Sequence, residues 1–165
     1  MCCNGWRNRR PRTAGAAACG VLLLAFLQGC ASTRQAQAPT TAPHGWPVAR
    51  QAAVVTSVYG APRGHSRHQG IDLAAPAGTP VTATAGGRVS FAGRSGDYGR
   101  MVVIDHGNGW QTVYAHLKRI KVARGERVRV GAVIGTVGKS GNATGTHLHY
   151  EIRRNGHPVD PGPYL

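Results

Sequence analysis

Apolar positions fall into one long run and then many short ones. The long run covers 16–27. From Val48 onward come brief stretches in which β-branched and polar residues alternate, separated by glycine pairs and polar turns. Alternation at period two predicts strands at 53–58, 81–85, 88–92, 101–105, 110–116, 127–130, 133–137 and 147–153. No segment carries the spaced apolar stripe of an amphipathic helix. The expected fold is all-β, a compact β-sandwich or barrel-like domain over 48–165 with one modest core. A repeated opening, Gly78-Thr79-Pro80-Val81 and Gly125-Glu126-Arg127-Val128, suggests two related β-halves. Between Cys30 and the first strand, 31–47 is rich in Ala, Thr, Pro and Gln without period, which predicts a disordered, flexible tether.

The long run reads as an address. Arg7, Arg9, Arg10 and Arg12 precede it. As a helix its twelve residues would rise ~18 Å, too short for a ~30 Å hydrocarbon core. A positive head, a short apolar body and a small-residue exit predict an export signal over 1–29. The exit, Leu27-Gln28-Gly29-Cys30, resembles a bacterial lipobox, which implies cleavage before Cys30 and lipidation of that residue. The expected location is the cell envelope, lipid-anchored, and the outer membrane facing the periplasm if the source is diderm. All four cysteines lie at or before Cys30, so the domain has no disulfide and no cysteine-based metal site.

Charge changes the picture less than it first suggests. Lys+Arg 20 against Asp+Glu 6 gives +14, a balance that raises nucleic acid as a partner. The signal removes four arginines and no acidic residue, leaving +10 on a chain that is exported away from the genome. Nucleic acid is therefore excluded, and the excess reads as attraction to anionic envelope polymers or lipid head groups. Its densest cluster is Lys118, Arg119, Lys121, Arg124, Arg127 and Arg129. Gly138-Lys139-Ser140 mimics the end of a phosphate-binding loop, but Val133 stands where that motif needs its first glycine.

Candidate chemistry sits in three histidine-bearing segments. In His147-Leu148-His149, strand geometry points both imidazoles to one face and sends Leu148, Tyr150 and Ile152 to the core. In His68-Gln69-Gly70-Ile71-Asp72, a spacing of four places His68 and Asp72 on one side, and Gly70 permits close approach. Tyr114-Ala115-His116 ends a strand. Two imidazoles, a carboxylate and further histidines, without cysteine, fit a catalytic zinc site that keeps an open position. The residues alone do not separate ligand from catalyst within His147 and His149.

Those motifs, in order, resemble the LytM or lysostaphin-type zinc endopeptidases. The match runs through His68-Gln-Gly-Ile-Asp72-Leu-Ala-Ala-Pro-Ala-Gly78-Thr-Pro-Val81, Tyr114-Ala-His116-Leu117 and Gly145-Thr-His147-Leu-His149-Tyr-Glu151-Ile152. It spans 46–165. The resemblance implies a hydrolase that cuts peptide bonds in the stem and cross-bridge peptides of peptidoglycan, with one Zn2+ per domain. Carried over, His68, Asp72 and His149 bind zinc, while His116 and His147 form the catalytic pair. Departures are Thr146 where the family often has Pro, Tyr150 where Phe is common, and a short loop between Gly60 and His68. Family members that have lost zinc ligands act as activators of cell-wall amidases, so the alternative is a non-enzymatic envelope module; here all five residues are present. Glu151 shares a strand face with His149 and is expected either to orient that ligand or to form a surface salt bridge. His106 reads as a loop residue, and His44, His65 and His157 receive no role.

Overall fold

The computed structural model describes residues 42–165. The expected signal over 1–29, Cys30 and the tether up to residue 41 lie outside the described residues. Among the described residues no helix is long and apolar enough to cross a membrane.

The fold is all-β, as the alternation predicts. An eight-stranded antiparallel sheet contains β1 (Val54–Ser57), β4 (Ile71–Ala74), β6 (Gly87–Ser95), β7 (Gly99–Gly107), β8 (Trp110–Ala115), β10 (Arg127–Val128), β12 (His147–Arg154) and β13 (His157–Val159). Its order is β1-β4-β12-β8-β7-β6-β10, with β13 pairing on β12. A smaller sheet joins β5 (Pro80–Thr82), β11 (Val133–Thr136) and β9 (Arg119–Ile120) in the order β5-β11-β9. The pair β2 (Pro62–Arg63) and β3 (Ser66–Arg67) forms a separate hairpin.

Local sequence explains two of the tight connections. Register pairs Gly107 with Trp110 and Arg154 with His157, so Asn108-Gly109 and Asn155-Gly156 are the turns. All four residues take positive φ (48°, 79°, 50° and 81°), the conformation that two-residue hairpins require and Asn-Gly tolerates.

One core lies between the two sheets. Leu73, Ile104, Tyr114, Leu148 and Ile152 of the large sheet share it with Val81 and Ile134 of the small one, all fully buried. Burying each such side chain contributes ~1.5–3 kcal/mol before the entropy of ordering is set against it. On the opposite face of the large sheet Met101, Val113 and Ala115 pack with Phe91, Tyr98 and Val103. Leu148, Tyr150 and Ile152 do face the core, leaving His147, His149 and Glu151 on the second face.

The repeated opening has a local basis. Gly78 and Gly125 both take positive φ, 94° and 88°, immediately before strands whose Val81 and Val128 are buried. The two strands then join different sheets, β5 pairing with β11 and β10 with β6.

Residues 42–47, read from sequence as the end of the tether, are held on the domain. Gly45 N–H donates to Tyr164 O at 2.7 Å, Pro47 O accepts from Thr82 N–H at 2.8 Å, and Trp46 packs on the core. A segment rich in Pro and Ala offers no period from which such docking could be foreseen. The strand expectations missed β4, β2, β3, β9 and β13. Buried residues at 71, 72 and 73 erase the alternation in β4, and the others are only two or three residues long.

Candidate metal centre

Antiparallel pairing brings the first two motifs together. β12 lies beside β4 with His149 directly opposite Asp72, the shortest cross-strand relation available. Gly70 makes the approach possible, because a Cβ there would overlap the Tyr150 carbonyl oxygen. His68 enters from the segment before β4, its backbone clamped by His68 N–H to Ala61 O at 2.9 Å and Gly60 N–H to His68 O at 2.8 Å.

Three donor atoms converge. His68 Nε2 lies 3.0 Å from His149 Nδ1, and Asp72 Oδ1 lies 3.1 Å from the former and 2.9 Å from the latter. The outer nitrogens decide which atoms face inward. His68 Nδ1 is 2.9 Å from Val58 O, which can only accept, so Nδ1 carries the proton and Nε2 presents a lone pair. His149 Nε2 donates to Glu151 Oε1 at 2.9 Å, so Nδ1 is the inward atom. Three buried lone-pair atoms about 3 Å apart repel one another unless a cation sits among them, whether a proton or a metal. Two imidazole nitrogens and a carboxylate oxygen are zinc donors, each imidazole held from behind by an acceptor, so the residues fit the metal.

The electrostatics agree with that division. Burial pushes the His68 pKa down. Burial also acts against charge on His149, but hydrogen bonds to Asp72 and Glu151 outweigh it and raise that pKa. Burial opposes ionisation of Asp72 as well. Its hydrogen bond with His149 and the neighbouring cationic groups override this and hold the carboxyl well below the usual range.

Glu151 is fully buried and orients His149; it is not a surface salt bridge. Its second oxygen accepts from Arg153 at 2.7 Å, and Tyr98 Oη donates to Oε1 at 2.8 Å. Burial and the Glu151 carboxylate push the Tyr98 pKa up to about 12, so the phenol keeps the proton it donates.

The other two histidines of the set flank the donors. His116 follows β8 in a left-handed conformation, φ 59°, at a cost of order 1–3 kcal/mol. Its N–H donates to Tyr98 O at 2.9 Å and its Nδ1 to Ser140 O at 2.8 Å. His147 opens β12, with Nδ1 donating to Gly145 O at 3.0 Å and Nε2 3.7 Å from Asp72 Oδ1. Their ring centroids are 4.7 Å apart. Each ring therefore has Nδ1 committed to a backbone carbonyl, which in a neutral imidazole leaves Nε2 as the acceptor. Burial lowers the His116 pKa more than its hydrogen bond to Ser140 raises it. All five side chains line one open groove of about 680 Å³, with Arg63, Gln69, Tyr98, Asn142 and Thr144 among its other walls.

His106 is not on a loop; it lies in β7, buried, with both nitrogens bonded inside the domain. His44, His65 and His157 are exposed. The sequence reading missed Ser140, Tyr98, Arg153 and Arg63, which support the five directly or through Glu151. Tyr98, an aromatic residue caught in the Gly-Asp-Tyr-Gly stretch between two strands, was the one legible hint.

Comparison with known proteins identifies relatives of the chain. The sequence profile described as peptidase family M23 matches residues 66–161. A DD-carboxypeptidase/endopeptidase Mpg of Neisseria meningitidis serogroup B is 57% identical over 94 residues, 57% of this chain and 22% of that protein. A lipoprotein NlpD/LppB homolog of Pseudomonas aeruginosa is 44% identical over 102 residues, 61% of this chain and 34% of the relative. The crystal structure of a zinc containing peptidase from Vibrio cholerae superposes with a TM-score of 0.68 at 32% identity, covering 73% of this chain and 39% of that one. The chain thus matches a minor part of each of these longer proteins.

Proposed function

The chain belongs to peptidase family M23, and on that premise we propose that it is a zinc-dependent endopeptidase hydrolysing peptide bonds of bacterial peptidoglycan. The observation that carries the reading is the triangle of inward lone pairs on His68, Asp72 and His149, flanked by two histidines with free Nε2 atoms.

Zinc held by those three side chains supplies a Lewis acid for the scissile carbonyl and makes water acidic enough to yield hydroxide near neutral pH. The protein's own groups do the rest. His116 and His147, fixed through Nδ1, offer Nε2 to accept a proton from the attacking water and, once carrying it, to deliver that proton to the leaving amine. The lowered pKa of His116 keeps its ring neutral at pH 7, as a proton acceptor requires. Glu151 and the Val58 carbonyl hold the ligand imidazoles in one orientation. The open groove, with polar walls, suits an extended peptide better than a compact ligand.

Residues 1–29 act as a lipoprotein signal in this reading, and Cys30 carries the lipid that anchors the domain in the envelope. The lipobox-like Leu27-Gln28-Gly29-Cys30 and the lipoprotein relative support it. A non-enzymatic module would not need the two free imidazoles beside the donors.

The test is direct. Purified protein is assayed for zinc and incubated with isolated peptidoglycan, and the products are identified by mass. One zinc per chain, with new peptide termini that vanish on chelation and return with zinc, is the expected result. A metal-free protein inert on peptidoglycan would select the non-enzymatic module.

A further inference from the structure

We infer that Arg63 is a positioning residue of the metal centre: its guanidinium fixes the Asp72 carboxylate so that Oδ1 alone faces the two imidazoles. The inference rests on the zinc reading above.

The geometry has two parts. Arg63 Nη2 donates to Asp72 Oδ2, the oxygen turned away from the histidines, while Oδ1 faces His149 Nδ1 at 2.9 Å and His68 Nε2 at 3.1 Å. The same Nη2 donates to Ser57 Oγ at 3.1 Å, and that hydroxyl lies 3.1 Å from His68 Nδ1. One guanidinium thus ties two of the three donor residues from outside the triangle. A carboxylate has two equivalent oxygens and a soft terminal torsion, so it needs a partner on one oxygen to present the other.

The ion pair is part-buried, Arg63 being 48% exposed against 9% for Asp72, and solvent around the guanidinium limits what it contributes to folding. Its effect belongs to the ligand geometry. Arg63 also does not compete for the inward position, since it holds the opposite oxygen. The hairpin supplies its own control: Arg67 donates to Gly60 O at 3.1 Å and bonds none of the three donors.

The experiment measures zinc dissociation constants of the full chain by competition with a chromophoric chelator. Variants are Arg63→Ala, Arg63→Lys and Arg67→Ala, with the thermal midpoint of each metal-free form as a second readout. Arg63→Ala weakens zinc binding by about 10–100-fold, the usual effect of removing a partner of a metal ligand. Arg63→Lys recovers part of the loss, Arg67→Ala matches wild type, and the metal-free midpoints coincide. Should Arg63→Ala fail to fold, Arg63→Gln keeps the bulk without the charge and reads the same loss. Binding by the Arg63 variant within about threefold of wild type, or tighter, overturns the inference while leaving the zinc reading intact. An equal loss in Arg67→Ala also overturns it, because the hairpin and not the guanidinium would then be responsible. Wild-type protein that binds no zinc overturns the metal reading and this inference with it.

Discussion

Two groups of buried polar side chains occupy opposite faces of β8 and β12, and they treat their histidines differently. On the core face His106 Nδ1 donates to Gly86 O at 2.9 Å and Nε2 lies 2.8 Å from the Thr112 hydroxyl. From Thr112 the bonding continues through Tyr114 and Thr84 to Tyr150, with contacts of 2.8–3.1 Å and a partner for every group. On the groove face His68 and His149 each have one nitrogen satisfied from behind, and the other turned toward a further lone pair. Both clusters are buried and histidine-bearing, yet one is closed and the other is completed only by a cation. Burial of a histidine is therefore uninformative about function; what its second nitrogen faces decides.

The sharpest way to break this contrast is to remove one histidine from each face. His149→Ala, like His68→Ala or Asp72→Ala, is expected to abolish stoichiometric zinc and reduce peptidoglycan hydrolysis to background. His106→Ala should keep one zinc per chain. Metal analysis of the folded variants checks both, and loss of zinc in the His106 variant would erase the distinction.

Within the groove face, donors and flanking histidines should also separate. His116→Ala and His147→Ala are expected to retain zinc while turnover falls by about 10²–10⁴-fold, the contribution of a positioned acid or base. Wild-type turnover in either variant would remove it from the catalytic pair.

Competition between a proton and the metal gives a third measure. The His149 pKa is raised, because its bonds to Asp72 and Glu151 outweigh burial, so at pH below that pKa zinc binding must displace a proton from it. Below that pKa, zinc affinity should fall by up to about tenfold per pH unit, since one proton competes with one metal. Calorimetry in buffers of different ionisation enthalpy would report the released proton.

The smallest effect concerns the closed cluster. His106→Gln should cost about 1–3 kcal/mol of stability at pH 8 by leaving buried partners unmatched, with zinc affinity unchanged. Burial lowers the folded pKa of His106 despite its bond to Gly86. The neutral form therefore stabilises the wild type above the unfolded value, near 6.5, and that contribution is lost as pH falls toward the folded pKa. The gap between wild type and variant should shrink from pH 8 to pH 5 in denaturant titrations of the metal-free proteins.

How much of this was legible in the chain depends on what periodicity encodes. Alternation assigns a residue to a face, and so it placed Leu148, Tyr150 and Ile152 in the core and His147 and His149 together on the other side. The spacing of His68 and Asp72, joined with the two later motifs, was enough to nominate all five residues of the groove and the resemblance that assigned their roles. The all-β class followed from the same period. Alternation fails where both faces are buried, and β4, which carries Asp72, was missed for that reason.

Tertiary structure alone decided the rest. Glu151 could as well have met solvent as His149, until β8 and the Tyr98 segment closed over it. His106 became a satisfied core residue because β8 places Thr112 beside it. Ser140 reaches His116 from 24 positions away, and Tyr98 reaches Glu151 from 53. Residues 42–47 docked where the composition foretold only a tether. The physical reason is common to all four. A sequence pattern specifies a local surface, but the proton on an imidazole and the exposure of a carboxylate depend on which distant backbone arrives beside them, and that is set by the packing of the whole domain.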